Sequence, residues 1–223
     1  MTGKLIVLEG LSAAGKKTQT RLLLEALQKA GKKAVSFAFP DYESPVGKLI
    51  AEYLAGNWGK KEDLTQAAVI LYALDRYQNA PAIRHALQEN DVVILDRYSP
   101  ANYAFQGALT KTASEKKALW DWIDQVEKAL PQADLVIFLD VPRNVTQQNY
   151  AGRDAKNPLA QKGRDQDIHE ADAAFEKRVH ENYLQLAKER NWTVVDCVEN
   201  GQLLPPESVH EKIQAALKER KII

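Results

Sequence analysis

Residues 4–27, KLIVLEGLSAAGKKTQTRLLLEAL, constrain this chain more than any other stretch. Leu5, Ile6, Val7 and Leu8 form an unbroken apolar run, short enough to be a strand buried on both faces. A glycine-bounded loop follows: Gly10, Leu11, Ser12, Ala13, Ala14 and Gly15, then Lys16. Leucines at 22, 23, 24 and 27 then set a helical pattern. Strand, loop and helix in that order point to a phosphate site. Glycine lets the backbone turn with no Cβ in the way, so successive N–H groups can face anionic oxygens. The following helix puts the positive end of its dipole on the same spot, and Lys16 adds a full charge at the β- and γ-phosphates.

One position departs from that pattern. A Ser or Thr hydroxyl after the lysine helps hold Mg²⁺, and here the residue is Lys17. An ammonium cannot ligate a metal, so Thr18 or water stands in, or the metal is held elsewhere. The rival reading is a Gly/Ala turn with no ligand. It fits less well, because every part sits in register around Gly15 and Lys16.

Four more apolar runs read as strands, at 34–39, 92–95, 135–139 and 192–195. Helical patterns at 45–54, 63–89, 115–130, from about 168 through 186, and 207–217 alternate with them. This spacing predicts a three-layer α/β/α fold with a five-stranded parallel sheet. The 223 residues suffice for one domain over 1–223. Residues 149–172 carry almost no apolar periodicity, with Arg153, Lys156, Lys162 and Arg164 among glycines and a proline, and read as a mobile lid. Thirty basic against thirty acidic side chains give no reason to expect a nucleic-acid or membrane-surface partner. No apolar run approaches a membrane span, no signal peptide precedes the first strand, and Cys197 stands alone, so the expected setting is the cytoplasm.

Ligands of such sheets sit beyond the carboxyl ends of the strands. That rule gathers residues 10–16, Phe39 to Tyr42, Asp96 with Arg97, and Asp140 at one edge. The chemistry these groups suit is phosphoryl transfer, which needs positioning and cations more than covalent participation. Lys16 and the loop amides would hold the donor, and Asp96 would orient Mg²⁺ through water. Arg97 would fork onto the acceptor's phosphate. The basic residues at 153–164 would close over the γ-phosphate and exclude water. Each has a plainer rival. Asp96 and Arg97 would also make a strand-end ion pair, Arg153 and Arg164 a solvated loop, and Tyr72 a core aromatic. His85, His180 and His210 read as surface residues, and His169 as solvated though near the site. Trp58, Trp120 and Trp122 read as packing or subunit contacts.

The segments LIVLEGLSAAGKKTQ, FPDY, LYALDRYQNA, VVILDRYSPANYAFQG, FLDVP and GRDQDIHEADAAFEKRV stand in the order seen in thymidylate kinases. Over nearly its whole length the chain resembles that family. The resemblance implies a P-loop kinase fold, ATP and Mg²⁺ as cofactors, dTMP as acceptor, dTDP and ADP as products, and a cytosolic homodimer. By motif, residues 10–18 would seat ATP, with Lys16, Asp96 and Arg97 at the reacting phosphates. Tyr72 would stack on the thymine, Arg76 would meet a polar edge of the base, and Asn102 would face it. Tyr42, beside Phe39, would lie near the sugar and leave no room for a 2′-hydroxyl. Asp167 and Glu170 align with carboxylates near the sugar 3′ side. The loop before Gly15 holds no basic residue, which matches relatives whose catalytic arginine comes from the lid, here Arg153 or Arg164.

Departures accompany the likeness. Ser12 stands where relatives usually have Asp or Glu, Asp41 where many have arginine, and Phe105 where many have tyrosine. Lys17 has basic counterparts in some bacterial relatives. Other readings are a deoxynucleoside kinase using Asp41 as base, another nucleoside monophosphate kinase, or a nucleotide-binding module without catalysis.

Overall fold

The computed structural model describes residues 3–147 and 167–222. Five strands, β1 (Lys4–Glu9), β2 (Ala34–Ala38), β3 (Val92–Asp96), β4 (Leu135–Asp140) and β5 (Thr193–Asp196), form one parallel sheet in the order β2-β3-β1-β4-β5. The central strand is covered on both sides, as its unbroken apolar run requires. Ile6 and Leu8 face the layer of α1 (Lys16–Lys29) and α8 (Pro206–Glu219), packing with Leu23, Leu27, Ile213 and Leu217. Leu5 and Val7 face the other layer, with Ile83 and Ala86 of α3 (Thr65–Glu89). The expected three-layer α/β/α architecture is the observed one.

Local chemistry sets the helix ends. Helix α2 (Pro45–Leu54) starts where Ser44 accepts a hydrogen bond from the Gly47 N–H at 2.9 Å and Pro45 supplies the first-turn φ. A short 3₁₀ turn (Lys61–Leu64) leads into α3. Helix α4 (Ser99–Gly107) is a finding the sequence pattern did not offer, because Asn102 and Gln106 are buried alongside Ala101, Tyr103 and Ala104 and break up the apolar periodicity. Helix α5 (Ala113–Glu127) begins at Thr112, which caps Glu115. A short helix, α6 (Arg143–Thr146), follows β4.

The helix expected to resume near residue 168 begins later, as α7 (Ala173–Glu189), capped by the Asp172 side chain. Residues 167–172 instead form a turn closed by Asp167, whose Oδ1 accepts from the N–H groups of His169 and Glu170, both at 2.8 Å. After β5, strands β6 (Val198–Glu199) and β7 (Gln202–Leu203) make a hairpin. Its signal was present in Asn200-Gly201, both in the left-handed region, which two-residue hairpin turns favour. The lid expected at 149–172, with Arg153 and Arg164, lies outside the described residues up to 166.

Candidate active site

Beyond the carboxyl ends of β1 and β3 the backbone makes the phosphate loop. Gly10 (φ 154°), Ala13 (φ 59°) and Gly15 (φ 89°) turn it back toward the start of α1. A Cβ on Gly10 would come within 3.0 Å of the Leu139 carbonyl, so neighbouring β4 leaves no room for a side chain there. Lys16 is buried and folds over the loop, its Nζ donating to the carbonyls of Leu11 (2.8 Å) and Gly10 (3.2 Å). The loop residues from Ser12 through Thr18 line a cleft of about 1030 Å³.

Arg97 reaches the same loop from β3. Its backbone is left-handed (φ 66°), which turns the side chain out of the strand as the chain leaves it. Nη2 lies 3.4 Å from the Ser12 hydroxyl, Nη1 3.4 Å from the Tyr183 hydroxyl and 4.0 Å from Glu9 Oε2, and the guanidinium stands 5.2 Å from the Phe105 ring centre. Burial works against this charge, but Tyr183, Glu9 and Asp96 outweigh it and hold Arg97 firmly protonated. Asp96 lines the cleft beside it.

Glu9 is the site residue that sequence reasoning passed over. It ends the apolar run of β1, is wholly buried, and accepts from the Tyr98 N–H and the Tyr183 hydroxyl, both at 2.8 Å. Burial raises its pKa against the pull of Arg97 and those two donors. The one available signal was an acid closing a strand that is otherwise all apolar.

The cleft wall facing away from α1 is formed by α3, α4 and the Phe39–Tyr42 loop, whose Phe39-Pro40 peptide is cis. That loop is fastened at both ends. The Phe39 N–H donates to the Asp96 carbonyl (2.9 Å) and the Asp41 N–H to Asp75 Oδ2 (3.2 Å). Tyr42 and Tyr72 line the cleft, and burial raises both phenols' pKa values, helped at Tyr42 by the Asp167 charge. Tyr72 also packs edge-on against Tyr53 at 6.3 Å. Arg76 and Asn102 line the cleft floor and share one buried carboxylate oxygen, Glu127 Oε1, at 2.6 and 2.7 Å. Phe105, Asp167 and Glu170 complete that side. The far end is formed by Leu203, Leu204 and Pro206, from the hairpin and the start of α8, tied to α1 by Gln19 donating to the Pro206 carbonyl at 2.9 Å.

Three expectations need correction. Asp140 does not line the cleft; its carboxylate is held by His180 at 2.6 Å, so His180 is not a free surface residue either. His169 is not solvated. It is buried, stacked on Phe175 at 4.8 Å, and packed against Phe105 and Tyr53, each at 5.7 Å. Three separate elements converge on it, so no local pattern could announce its burial. Trp120 packs in the core as expected, and Gly10 and Leu11 contribute carbonyls to Lys16 without lining the cleft.

The buried imidazole carries a pH dependence. Burial, with Lys61 and Arg97 adding positive charge nearby, pushes the His169 pKa from 6.5 down to about 3. The unfolded chain therefore binds a proton that the folded chain refuses. Stability is fully present above pH 6.5 and falls as the pH drops toward 3. By pH 5 the loss from this residue is about 2 kcal/mol. His169→Phe, which keeps the ring packing, is expected to remove that share of the acid sensitivity in urea unfolding measured at pH 5 and 7. An unchanged pH slope would show that His169 titrates normally in the fold.

A tight glycine-bounded loop under a buried cation, faced by a guanidinium that reaches over from the next strand, serves one chemistry well: moving a phosphoryl group between two phosphate-bearing molecules. Fold and cleft together define a P-loop kinase. A family model described as thymidylate kinase matches residues 8–213. A human thymidylate kinase is 34% identical over 216 residues, covering 95% of this chain and 88% of its own. One from Mycobacterium tuberculosis H37Rv is 34% identical over 208 residues, covering 89% and 94%. The solved structure of Candida albicans thymidylate kinase superposes with a TM-score of 0.74 at 24% identity, over 99% of this chain and 93% of that one. The chain belongs to the thymidylate kinase family.

Proposed function

We propose that this protein transfers the γ-phosphoryl group of ATP to dTMP, giving dTDP and ADP. The observation that carries this reading is the meeting of Arg97 with the phosphate loop: its Nη2 stands 3.4 Å from Ser12, within the loop that Lys16 covers. A donor phosphate seated on the loop amides and an acceptor phosphate forked by Arg97 would then lie end to end. Tyr72 is the stacking surface for the base. The Asn102 amide, held by donating to Glu127 and to the Val69 carbonyl, lines the cleft and faces the base. Arg76 sets the other polar edge, and Tyr42, Asp167 and Glu170 face the sugar. A further cation at the transferred group is assigned to Arg153 or Arg164.

Mg²⁺ fits the donor set. Such an ion takes one or two carboxylates with phosphate oxygens and keeps much of its water. Asp96 and Thr18 both line the cleft and would supply a carboxylate and a hydroxyl, while Lys17, in the hydroxyl's usual place, cannot serve. The ion's contribution when bound is to neutralise charge on the donor phosphates.

ADP release measured over dTMP, dUMP, other monophosphates and thymidine, with and without Mg²⁺, tests the assignment. The fastest turnover is expected with dTMP and Mg²⁺. Phosphate added to thymidine but not to dTMP would overturn it.

The proposal extends to a cytoplasmic homodimer. Ile70 and Leu74, four apart on α3, stand 53% and 48% exposed on one face, an apolar pair that a second copy would cover. In sedimentation velocity, Ile70→Asp with Leu74→Asp is expected to convert dimer to monomer. A variant that sediments like the parent would place the contact elsewhere.

A further inference from the structure

Lys61 lies in the 3₁₀ turn before α3, outside the cleft lining, yet it is only 7% exposed. A lysine is rarely buried so far without compensation for its charge. Here three groups supply it, all distant in sequence. Its Nζ donates to the Ile168 carbonyl at 3.0 Å and to Asp172 Oδ2 at 2.9 Å, and stands 4.2 Å from the centre of the Phe175 ring. Securing α7 would need only the bond to Asp172. The second bond, to a main-chain carbonyl in the turn before that helix, serves another purpose.

That turn is gripped from both sides. The Ile168 N–H donates to the Leu54 carbonyl at 3.1 Å, where α2 ends, while Lys61 takes the same residue's carbonyl. Ile168 also rests over Gly56, where a Cβ would approach its methyl to 3.1 Å. With Ile168 fixed at both main-chain polar groups, its neighbours follow. Asp167 accepts from the N–H groups of His169 and Glu170, and Glu170 Oε2 accepts from the Asp167 N–H at 3.3 Å. Both carboxylates line the cleft.

We infer that Lys61 is a positioning residue for the acceptor nucleotide: it clamps the 167–172 turn onto the front of α3 and so sets where Asp167 and Glu170 stand. This rests on the reading above that those two carboxylates face the acceptor. Lys61 itself touches no substrate. Its effect falls on acceptor binding and leaves the donor side, across the phosphate loop, undisturbed.

Three single variants and one double variant, the latter compared with Glu170→Gln alone, test it, with dTMP and ATP varied separately in steady-state kinetics and dTMP binding followed by calorimetry. Lys61→Met keeps the length of the stem and removes the charge and both bonds. Its KM and Kd for dTMP are expected to rise about tenfold, since a small misplacement of positioning groups carries a cost of that order or more. Its KM for ATP should stay within about twofold of the parent's, the scatter expected of independent sites. Asp172→Asn retains a side chain that caps α7 and gives up the ion pair; it should show the same split at about threefold. Lys61→Arg keeps the charge and should lie nearer the parent than Lys61→Met. In a Glu170→Gln background, Lys61→Met should cost less than it does in the parent, because Glu170 is one of the two groups through which it acts. The inference is overturned if both nucleotides' KM values rise together, if the losses add fully in that background, or if dTMP binding is unchanged. Should Lys61→Met fail to fold, the split in Asp172→Asn decides. A parent that does not turn over dTMP sinks the underlying reading, whereas an active parent with an unaffected Lys61→Met sinks this inference alone.

Discussion

Lys16→Ala is expected to lower kcat/KM by at least about a thousandfold, roughly 4 kcal/mol at the transition state. The side chain is the buried cation of the phosphate loop, and it donates to the carbonyls of Gly10 and Leu11. That arrangement holds an ammonium at the place where donor phosphates would arrive, already stripped of most of its water. Charge developing on the transferred group meets a cation that needs little reorganisation. Alanine leaves the loop amides in place, so ATP still finds the helix terminus and weak binding survives. Two measurements check this: turnover by ADP release, and the rise in Tm on adding ATP. Saturation a hundredfold above Kd stabilises a protein by about 2.7 kcal/mol, and the variant should show a much smaller shift at the same ATP concentration. Turnover near the parent's with the full ATP-dependent shift would remove Lys16 from the site.

Arg97→Lys is the second large effect, expected at about a hundredfold or more in kcat/KM for dTMP, with the KM for ATP changed less than about twofold. Lysine keeps the charge beside Glu9, which limits damage to the fold. What it gives up is the planar fork. The guanidinium spans Ser12, Tyr183 and Glu9 at once while it faces the cleft, a reach that a single ammonium cannot copy. Arg97→Ala is expected to cost more, about 3 kcal/mol or above, because it leaves a bound phosphate unpaired. It also removes the main attraction that holds down the pKa of buried Glu9, so its Tm should fall too. Equal catalytic losses in the two variants would mean that the planar fork carries the whole effect, whereas Arg97→Lys kinetics close to the parent's would mean that charge alone suffices at this position. Unchanged dTMP kinetics in both would make Arg97 structural.

The parts of this site that could be read in the sequence are those whose partners lie close along the chain. The phosphate loop is continuous from Gly10 to Lys16, and Asp96 and Arg97 are adjacent at a strand end. Helix α2 was legible because Ser44 and Pro45 carry their own start signal. Glu127, which joins Arg76 to Asn102, was not: the three come from different helices, and an acid near the end of an amphipathic helix looks solvated until the helices pack. Helix α4 hid for a related reason, since its buried amides imitate a polar loop. His169 was misread because its burial comes from Tyr53, Phe105 and Phe175 together. Local chemistry writes caps and turns into sequence; burial produced by long-range convergence leaves no such trace.

The position of β1 in the middle of the sheet has a further reach. From β2 through α4, the chain builds one flank of the cleft; the hairpin and α8, near its end, build the other. On the proposed reading, the residues that choose between nucleotides on one flank therefore come from a different length of the chain than those on the other. The turn at 167–172 breaks this division of labour, arriving late in the chain yet seated against α2 and the front of α3. It is the seam where drift in one half would first be felt by the other.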